Sequence, residues 1–249
     1  MHITPIAVAR NGFTDKFGIP RQSRGESCIE TRIVFEPAYR VREALRGLEG
    51  YSHLWLIWGF SQCVMDKEQR TKNKGQCVTG EAAVSSWSPT VRPPRLGGNT
   101  RMGVFATRSP FRPNALGLSS VRLLRMEDTP LDGTVLVVSG ADLLDGTPIY
   151  DIKPYLSYSD SHPDARNGFG EATRNYRLAV DVSAGVLEPA LALGCPWQAL
   201  QEILSQDPRP AYQHDPMRVY RLDYAGWSVA FRVEDNRLKV ETLQKKQSS

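Results

Sequence analysis

The sequence predicts a mainly β protein, with an all-β N-terminal region followed by a small α+β unit. The first two-thirds of the chain consist of short apolar segments broken by Gly, Pro, Asn and Asp, a pattern typical of antiparallel β structure. Residues 53–60 are almost continuously apolar, which indicates a strand that is buried on both faces or lines a closed barrel. No phosphate-binding loop or helix-opening G-x-G-x-x-G occurs, which disfavours nucleotide-binding α/β folds.

The N-terminal region contains a series of candidate strands, each rich in Val, Ile, Leu or aromatic residues. They cover residues 3–10, 27–35, 53–60, 101–107, 118–125, 134–142 and 149–152. Short helical turns are predicted over 41–48, and Gly50 is expected to end them. The stretch at 93–99 predicts a loop, because its prolines and glycines interrupt regular structure.

A polar stretch separates this region from the C-terminal part of the chain. Residues 157–174 contain many Gly, Asp and Ser residues and few large apolar side chains, which is typical of a linker. We therefore expect one domain at 1–156 and a second at 177–249, joined by a linker at 157–176.

The second domain is predicted to combine strands and helix. A strand is expected at 177–182, and a helix over 187–204 that Gly194 and Pro196 interrupt. Residues 218–243 alternate in polarity and break at two turn sequences, which predicts a three-stranded meander.

The composition is that of a globular protein, with 249 residues, 41% hydrophobic and 23% charged. No apolar run is long enough for a membrane span, and no secretory signal is recognisable, so we expect a cytoplasmic protein without a membrane partner. The four cysteines have no C-x-x-C spacing and the four histidines are scattered. We therefore expect reduced thiols and no bound metal.

The net charge of +4 conceals an uneven distribution. Residues 82–126 contain no Asp, Glu or Lys and seven arginines, so this block carries +7 and the remainder must sum to 4 − 7 = −3. Arginine suits phosphate and other planar anions, because guanidinium is a permanently charged fork of donors. Chance clustering on a solvated face is the simpler alternative, but the block favours an anionic partner.

Three polar segments are candidates for a functional site. In 101–118, prolines fix two turns from which Arg108, Arg112 and Asn114 project, as in a preorganised binding loop or in a plain surface connection. In 140–155, two carboxylates near a strand end could bind hydroxyl or amino groups or take a proton, although Asp-Gly is also a common hairpin turn. In 207–212, two prolines hold one arginine and one aromatic residue, a small stacking site or a loop that ends a helix.

Six longer strings carry a resemblance that covers nearly the whole chain in the right order. They are GIPRQ (18–22), RGLEGYSHLWLIWGF (46–60), PTVRPPRLGGNTRMGVFATRSPFRPNALGLS (89–119), DLLDGTPIYDIKPY (142–155), DSHPDAR (160–166) and DPRPAYQ (207–213). Together they closely resemble the TrmO family of tRNA methyltransferases, whose N-terminal part is the TsaA-like domain, called YaeB in older usage.

The resemblance implies a fold and an activity. It implies an enzyme that uses S-adenosyl-L-methionine to methylate N6 of threonylcarbamoyladenosine in tRNA, beside the anticodon. It also implies an N-terminal antiparallel β-barrel of the TsaA-like type, distinct from Rossmann methyltransferases, with a small α+β C-terminal domain and a homodimeric assembly. The expected partner is the anticodon arm of tRNA.

The resemblance further implies a set of cofactor-binding residues, which are taken from the positions that match the family motifs. They are Gln22, Ser23, Arg24, Phe60, Ser61, Arg108, Leu116, Asp142, Leu143, Leu144 and Asp145. The chain departs from the family at Ser61, where relatives often have a bulkier or more polar residue. It also departs in the stretch 62–88, which is longer than the family pattern predicts.

Methyl transfer from a sulfonium is an in-line displacement, so alignment and exclusion of water supply most of the acceleration. The N6 proton must leave, since a carbamoylated nitrogen is a poor nucleophile. We expect Asp142 or Asp145 to take the proton or to bind the cofactor, and Arg108 or Arg112 to stabilise charge on the urea oxygen.

The remaining candidate residues are expected to hold the RNA. Arg112 and Asn114 would face the substrate base, while Arg209 and Tyr212 would contact the anticodon arm. Two alternatives remain open from the sequence alone. One is a non-catalytic RNA-binding β-barrel module, and the other is a regulatory barrel that binds an anionic metabolite.

Overall fold

The computed structural model describes residues 3–15, 17–20, 23, 27–60, 87–93, 100–173, 176–209 and 215–246. Its strands in chain order are β1 (Ala7–Arg10), β2 (Glu30–Phe35), β3 (His53–Gly59), β4 (Thr90–Val91), β5 (Met102–Gly103), β6 (Leu116–Thr129), β7 (Gly133–Ser139), β8 (Pro148–Pro154), β9 (Ala179–Val182), β10 (Tyr220–Tyr224), β11 (Trp227–Glu234) and β12 (Arg237–Lys245). Its α-helices are α1 (Ser157–Asp160), α2 (Ala184–Ala192) and α3 (Trp197–Ser205). Single 3-10 turns occur at Pro37–Tyr39, Arg42–Leu45, Leu48–Gly50, Val104–Ala106 and Gly168–Thr173.

Six antiparallel strands close into a barrel in the order β1-β2-β7-β6-β3-β8, and β8 pairs back onto β1. Alternate side chains point inward because successive residues of a strand face opposite sides of the sheet. Leu54, Leu56 and Trp58 of β3 all line the interior and belong to the barrel core. The predicted mainly β fold with an N-terminal antiparallel barrel is therefore confirmed.

The C-terminal sheet has the order β10-β11-β12-β9, in which β9 runs parallel to β12 and the other neighbours are antiparallel. The predicted meander is confirmed at β10–β12, with the left-handed Ala225 and Asn236 in its turns. The predicted interrupted helix is also confirmed as α2 and α3, which are separated at Gly194 (φ +80°).

The two sheets share a hydrophobic contact through the N-terminal segment. Phe13 and Ile29 are buried in the C-terminal core rather than in the barrel. Gly18 lies against the same core, because a Cβ at this position would come within 2.4 Å of Leu222. Phe13, Gly18 and Ile29, which lie between β1 and β2 in the chain, therefore pack on the C-terminal domain. The domain limits at 156 and 177 stay a prediction.

One local strand prediction is wrong, and one prediction of short helical turns is confirmed. The expected strand at 101–107 is the two-residue β5 followed by the turn Val104–Ala106, which Thr107 closes with two hydrogen bonds to the Val104 carbonyl. The short helical turns expected at 41–48 are confirmed as the two 3-10 turns Arg42–Leu45 and Leu48–Gly50, which are separated at Gly47 with its left-handed φ of +86°. The predicted linker contains α1 and a 3-10 turn.

Among the described residues, no helix has the length and hydropathy that a membrane crossing requires.

Candidate active site

A chain of hydrogen bonds runs from the barrel core to Asp142. The indole Nε1 of Trp58 donates to Ser119 Oγ at 2.9 Å, and Ser119 Oγ donates to Asp142 Oδ1 at 2.5 Å. Trp58 is 7% exposed and Ser119 is 1% exposed. Because each donor lies on a barrel strand and is buried, the Asp142 carboxylate is held in one orientation.

The local fold explains how Trp58 reaches Ser119. The pairing of β3 with β8 shifts between Ile57 and Trp58, an irregularity that re-aims the following side chain. Gly117 of β6 pairs with Trp58 of β3. It leaves room for the indole, because a Cβ at Gly117 would come within 2.2 Å of the ring. Phe60 packs edge-on against the same indole, with ring centroids 4.3 Å apart. The indole is therefore fixed from two sides.

The electrostatics of Asp142 bring residues from three predicted motifs together. Burial of the carboxyl raises the pKa of Asp142 above its usual range. Four interactions lower this pKa: the hydrogen bond from Ser119, the backbone N–H of Asp142 itself, the charge of Arg108 and the backbone N–H of Ser23. The Asp142 carboxylate is therefore influenced by Ser23 and Arg108, although the three residues lie far apart in the chain.

The turn after Asp142 is anchored in both hydrophobic cores. Leu143 is fully buried in the barrel core, and Leu144 packs against the C-terminal core. Asn11 supports the turn, because its Nδ2 donates to the Leu143 carbonyl at 3.0 Å. The turn ends at Gly146, whose φ of +79° suits glycine.

Asp145 has a different environment from Asp142. Its Oδ1 accepts the backbone N–H of Asn11 at 3.0 Å, and its Oδ2 lies 3.4 Å from Arg10 Nη1. Its own N–H donates to the Phe13 carbonyl at 3.0 Å. These contacts hold the turn against the end of β1, so Asp145 stabilises the local fold.

The arginine-rich loop is held by its own backbone. Arg112 Nη1 donates to the carbonyls of Thr107 at 3.1 Å and Ser109 at 3.4 Å. Asn114 is exposed, and Leu116, at the start of β6, is 37% exposed. The N–H of Phe60 donates to the Ala115 carbonyl at 3.0 Å, so the end of β3 and the end of this loop are neighbours.

The C-terminal candidates are less accessible. Arg209 is 8% exposed and forms a bidentate pair with Asp207, at 2.8 Å from Nε and 3.0 Å from Nη2. This pair fixes the loop after α3 instead of presenting the guanidinium to solvent. Gln22, Arg24, Ser61 and Tyr212 lie outside the described residues, as do most of the long stretch 62–88 and positions 94–99.

Sequence reasoning missed three residues of this site: Trp58, Ser119 and Asn11. Trp58 lies within an apolar run that predicts only a buried strand. Ser119 is one of two adjacent serines, and its inward direction depends on the register of β6. Among the described residues, no group of three or more His, Cys, Asp or Glu side chains could hold a metal ion.

Comparison with known proteins links this arrangement to one family. Residues 8–161 match the family model of the tRNA-methyltransferase O N-terminal domain, and residues 188–246 match that of the TrmO C-terminal domain. The chain belongs to the TrmO family. This confirms the resemblance that the sequence motifs indicate.

Individual TrmO relatives match along most of their length. The Escherichia coli K12 protein named tRNA (adenine(37)-N6)-methyltransferase is 37% identical over 245 residues, covering 96% of both chains. A Pseudomonas aeruginosa protein, provisionally named as the S-adenosylmethionine-dependent methyltransferase RcsF, is 41% identical over 229 residues, covering 88% of this chain and 86% of its own. The crystal structure of TrmO from Pseudomonas aeruginosa superposes with a TM-score of 0.73 at 31% identity, covering 98% of both chains.

Proposed function

We propose that this chain transfers a methyl group from S-adenosyl-L-methionine to N6 of threonylcarbamoyladenosine at position 37 of tRNA, beside the anticodon. The Escherichia coli relative carries the name of a tRNA (adenine(37)-N6)-methyltransferase. The observation that carries the proposal is that the backbone N–H of Ser23 and the charge of Arg108 both act on the carboxylate of Asp142. Each of the three comes from a different motif that the family resemblance assigns to the cofactor.

The residues at this site fit S-adenosylmethionine. When bound, this cofactor supplies an electrophilic methyl group on a cationic sulfonium. Burial leaves the Asp142 carboxylate short of compensating positive charge, as its raised pKa indicates, and a cationic ligand would supply that charge. Phe60 packs on Trp58 and the partly exposed Leu116 pairs with Gly59, so both offer apolar surface at the end of β3 that carries the Trp58–Ser119–Asp142 chain.

We assign Asp142 to holding the cofactor rather than to taking the proton. Ser119, Ser23 and its own backbone N–H all donate to its carboxylate, which fixes the group and leaves few of its lone pairs open to accept a proton. A fixed acceptor suits binding, because no reorganisation is needed when the ligand arrives. Asp145 is bonded to Asn11 and Arg10, so we assign it to shaping the cofactor turn.

Arg112 and Asn114 are proposed to face the modified adenosine. Nη1 of Arg112 is fixed by two carbonyls of its own loop, so its guanidinium is preorganised to stabilise negative charge on the urea oxygen. Such stabilisation makes the N6 proton more acidic, so the proton can pass to solvent water and leave the anionic nitrogen that attacks the methyl group. Asn114 is exposed next to it and can donate to or accept from the base edge.

The anticodon arm of tRNA is proposed to bind along the arginine block at 82–126. This block holds seven arginines and no acidic residue; Arg125 is paired with Glu30 and Glu127 from outside the block, and the other arginines suit a chain of phosphates. Arg209 remains a proposed RNA contact only if its pair with Asp207 opens, and Tyr212 remains a proposed stacking residue. We also propose a homodimer that acts in the cytoplasm, where mature tRNA is abundant.

Mass spectrometry of tRNA nucleosides tests this function in cells. In a strain that lacks the chain, we expect N6-methylated threonylcarbamoyladenosine to disappear and the unmethylated nucleoside to accumulate. Expression of the wild-type chain should restore the methylated nucleoside, whereas Asp142→Asn should not. Unchanged methylation in the deletion strain would disprove the proposal.

A further inference from the structure

Three large aromatic side chains lie exposed beside the arginine-rich loop. Trp87 is 44% exposed, Phe105 is 72% exposed and Phe111 is 47% exposed. The rings of Trp87 and Phe105 stack, with centroids 6.4 Å apart and an interplanar angle of 24°. The N–H of Ser88 donates to the Phe111 carbonyl at 3.0 Å, which brings Phe111 to the same segment. We call Trp87, Phe105 and Phe111 the aromatic platform.

The backbone under the aromatic platform is well bonded. Strands β4 and β5 pair with each other, and the N–H of Val104 donates to the Pro89 carbonyl at 3.0 Å. Val104 is buried, which anchors the turn that carries Phe105. The exposed rings are therefore presented by a fixed backbone, and clustered exposed apolar groups of this kind mark interaction surfaces.

The surroundings of the aromatic platform are basic. Arg92 and Arg101 are exposed and Arg112 is half-buried, and none of the three forms an ion pair with another described residue. Arg108, whose charge acts on Asp142, lies between Phe105 and Phe111 in the chain. The platform therefore lies within the arginine block, and two of its residues flank in the chain an arginine whose charge acts on the proposed cofactor site.

We propose that the aromatic platform stacks on unpaired RNA bases that flank the adenosine to be methylated. This inference rests on the proposed function. Bases of a single-stranded loop have free faces, and aromatic side chains bind those faces while arginines bind the adjoining phosphates. A flanking base held on the platform would be drawn away from the target, which exposes N6 to the cofactor.

Charge argues against a second copy of the chain as the occupant. A symmetric contact through the platform would bring Arg92, Arg101 and Arg112 against a surface of the same sign. The local sequence offers no acidic residue between 82 and 126 to balance them. An RNA loop, in contrast, supplies both the planar groups and the negative charge.

Alanine variants of the aromatic platform test the inference. The probe is an RNA hairpin of the anticodon stem and loop that carries threonylcarbamoyladenosine, and its affinity is measured by fluorescence anisotropy at fixed salt. We expect Trp87→Ala and Phe105→Ala each to weaken hairpin binding about tenfold. Both variants should keep wild-type affinity for S-adenosylmethionine, because the hydrogen bonds and ring contacts that join Asp142, Ser119, Trp58 and Phe60 include neither side chain.

Tyr158→Ala is the matched control. Tyr158 is 85% exposed in α1, which follows β8 beside the start of β3, at the opposite end of that strand from Phe60. We expect it to bind the hairpin as the wild type does. A hairpin with 5-iodouridine next to the target adenosine gives an independent signal, because irradiation should crosslink the base to Trp87, Phe105 or Phe111.

The outcomes separate this inference from the proposed function. Wild-type hairpin affinity in both variants, or a crosslink elsewhere, would overturn the stacking role even if the wild-type chain methylates tRNA. Loss of a dimer in Phe105→Ala by analytical ultracentrifugation would also overturn it, because the platform would then be a subunit contact. A wild-type chain that binds S-adenosylmethionine but methylates no tRNA would instead refute the proposed function itself.

Discussion

Leu143 and Leu144 are neighbours in the chain, but their side chains pack in the two different hydrophobic cores of the protein. Leu143 is fully buried in the barrel, and Leu144 contacts the C-terminal core. The turn that carries Asp142 is therefore fixed from both sides. The C-terminal domain thus contributes to the geometry of a site whose polar groups lie on the barrel.

The two leucines should differ in their effect on stability. We expect Leu143→Ala to lower the free energy of unfolding by about 2–5 kcal/mol, because it leaves a cavity in a closed core. Leu144→Ala should cost less, since its side chain is only partly buried. The measurement is urea unfolding followed by circular dichroism. Leu131→Ala, at an 86% exposed position, is the control and should change stability little. Equal effects of Leu143→Ala and Leu131→Ala would contradict the packing.

Ser119→Ala should weaken cofactor binding through Asp142, because Ser119 is not itself assigned a contact with the cofactor. The substitution removes the 2.5 Å donor to Asp142 and leaves Trp58 Nε1 without its acceptor. Because a hydrogen bond to a charged group contributes about 1.5–3 kcal/mol, we expect affinity for S-adenosylmethionine to fall about tenfold or more. Calorimetric titration measures this.

Ser120→Ala provides the matched control for Ser119→Ala. Ser120 is the next residue of β6 and pairs with Trp55, so its side chain faces the other side of the sheet. It should bind the cofactor with wild-type affinity. If the two serine variants bind equally well, the hydrogen-bond chain does not position Asp142.

Asp142→Asn should stabilise the ligand-free protein at neutral pH. Burial raises the pKa of Asp142 in the folded state, so the native protein holds this proton more tightly than the unfolded chain. The wild-type chain therefore loses stability as the pH rises from the ordinary carboxyl range through the raised pKa. The variant lacks this loss, and its Tm should exceed the wild-type value above that range by differential scanning calorimetry. Equal Tm values at all pH would show that the carboxylate is not destabilised by burial.

The sequence predicted the C-terminal meander better than the arginine-rich segment. Ala225-Gly226 and Asp235-Asn236 are strong local turn signals, and left-handed φ values occur there. At 101–107 an apolar composition favours a strand, but the backbone N–H and the hydroxyl of Thr107 both close a turn on the Val104 carbonyl, and composition does not indicate this turn. The long strand β6 begins earlier and ends later than predicted, with a bulge between Leu123 and Arg125 that no local pattern indicates.

The sequence motifs predicted which residues belong to the site, but they did not predict the hydrogen bonds that connect those residues. The family motifs supply Ser23, Arg108 and Asp142, and the structure brings these three together. The Trp58–Ser119–Asp142 chain depends on strand register, on a bulge and on the missing side chain of Gly117. Long-range pairing of this kind cannot be derived from one sequence. The bond between Asp145 and Asn11 likewise depends on the approach of two distant loops.

Arg112→Ala should reduce turnover while cofactor affinity stays normal. Nη1 of Arg112 is bonded to its own loop, and the guanidinium is proposed to stabilise charge on the urea oxygen. Removal of one such donor costs about 100-fold to 1,000-fold in kcat. Single-turnover methylation at saturating tRNA measures the effect, with the exposed Arg221→Ala of the C-terminal sheet as the charge-matched control. Near-normal turnover in folded Arg112→Ala protein would remove Arg112 from the site.

The most direct test is methylation by the purified chain. Wild-type protein is incubated with S-adenosylmethionine that carries an isotope-labelled methyl group and with tRNA that contains threonylcarbamoyladenosine, and the nucleosides are analysed by mass spectrometry. We predict that the label appears on N6 of that nucleoside with the wild type. Asp142→Asn should bind the cofactor at least about 30-fold more weakly and transfer little label at limiting cofactor. Folded wild-type protein that transfers no methyl group to this nucleoside, or Asp142→Asn that binds the cofactor normally, would contradict the account.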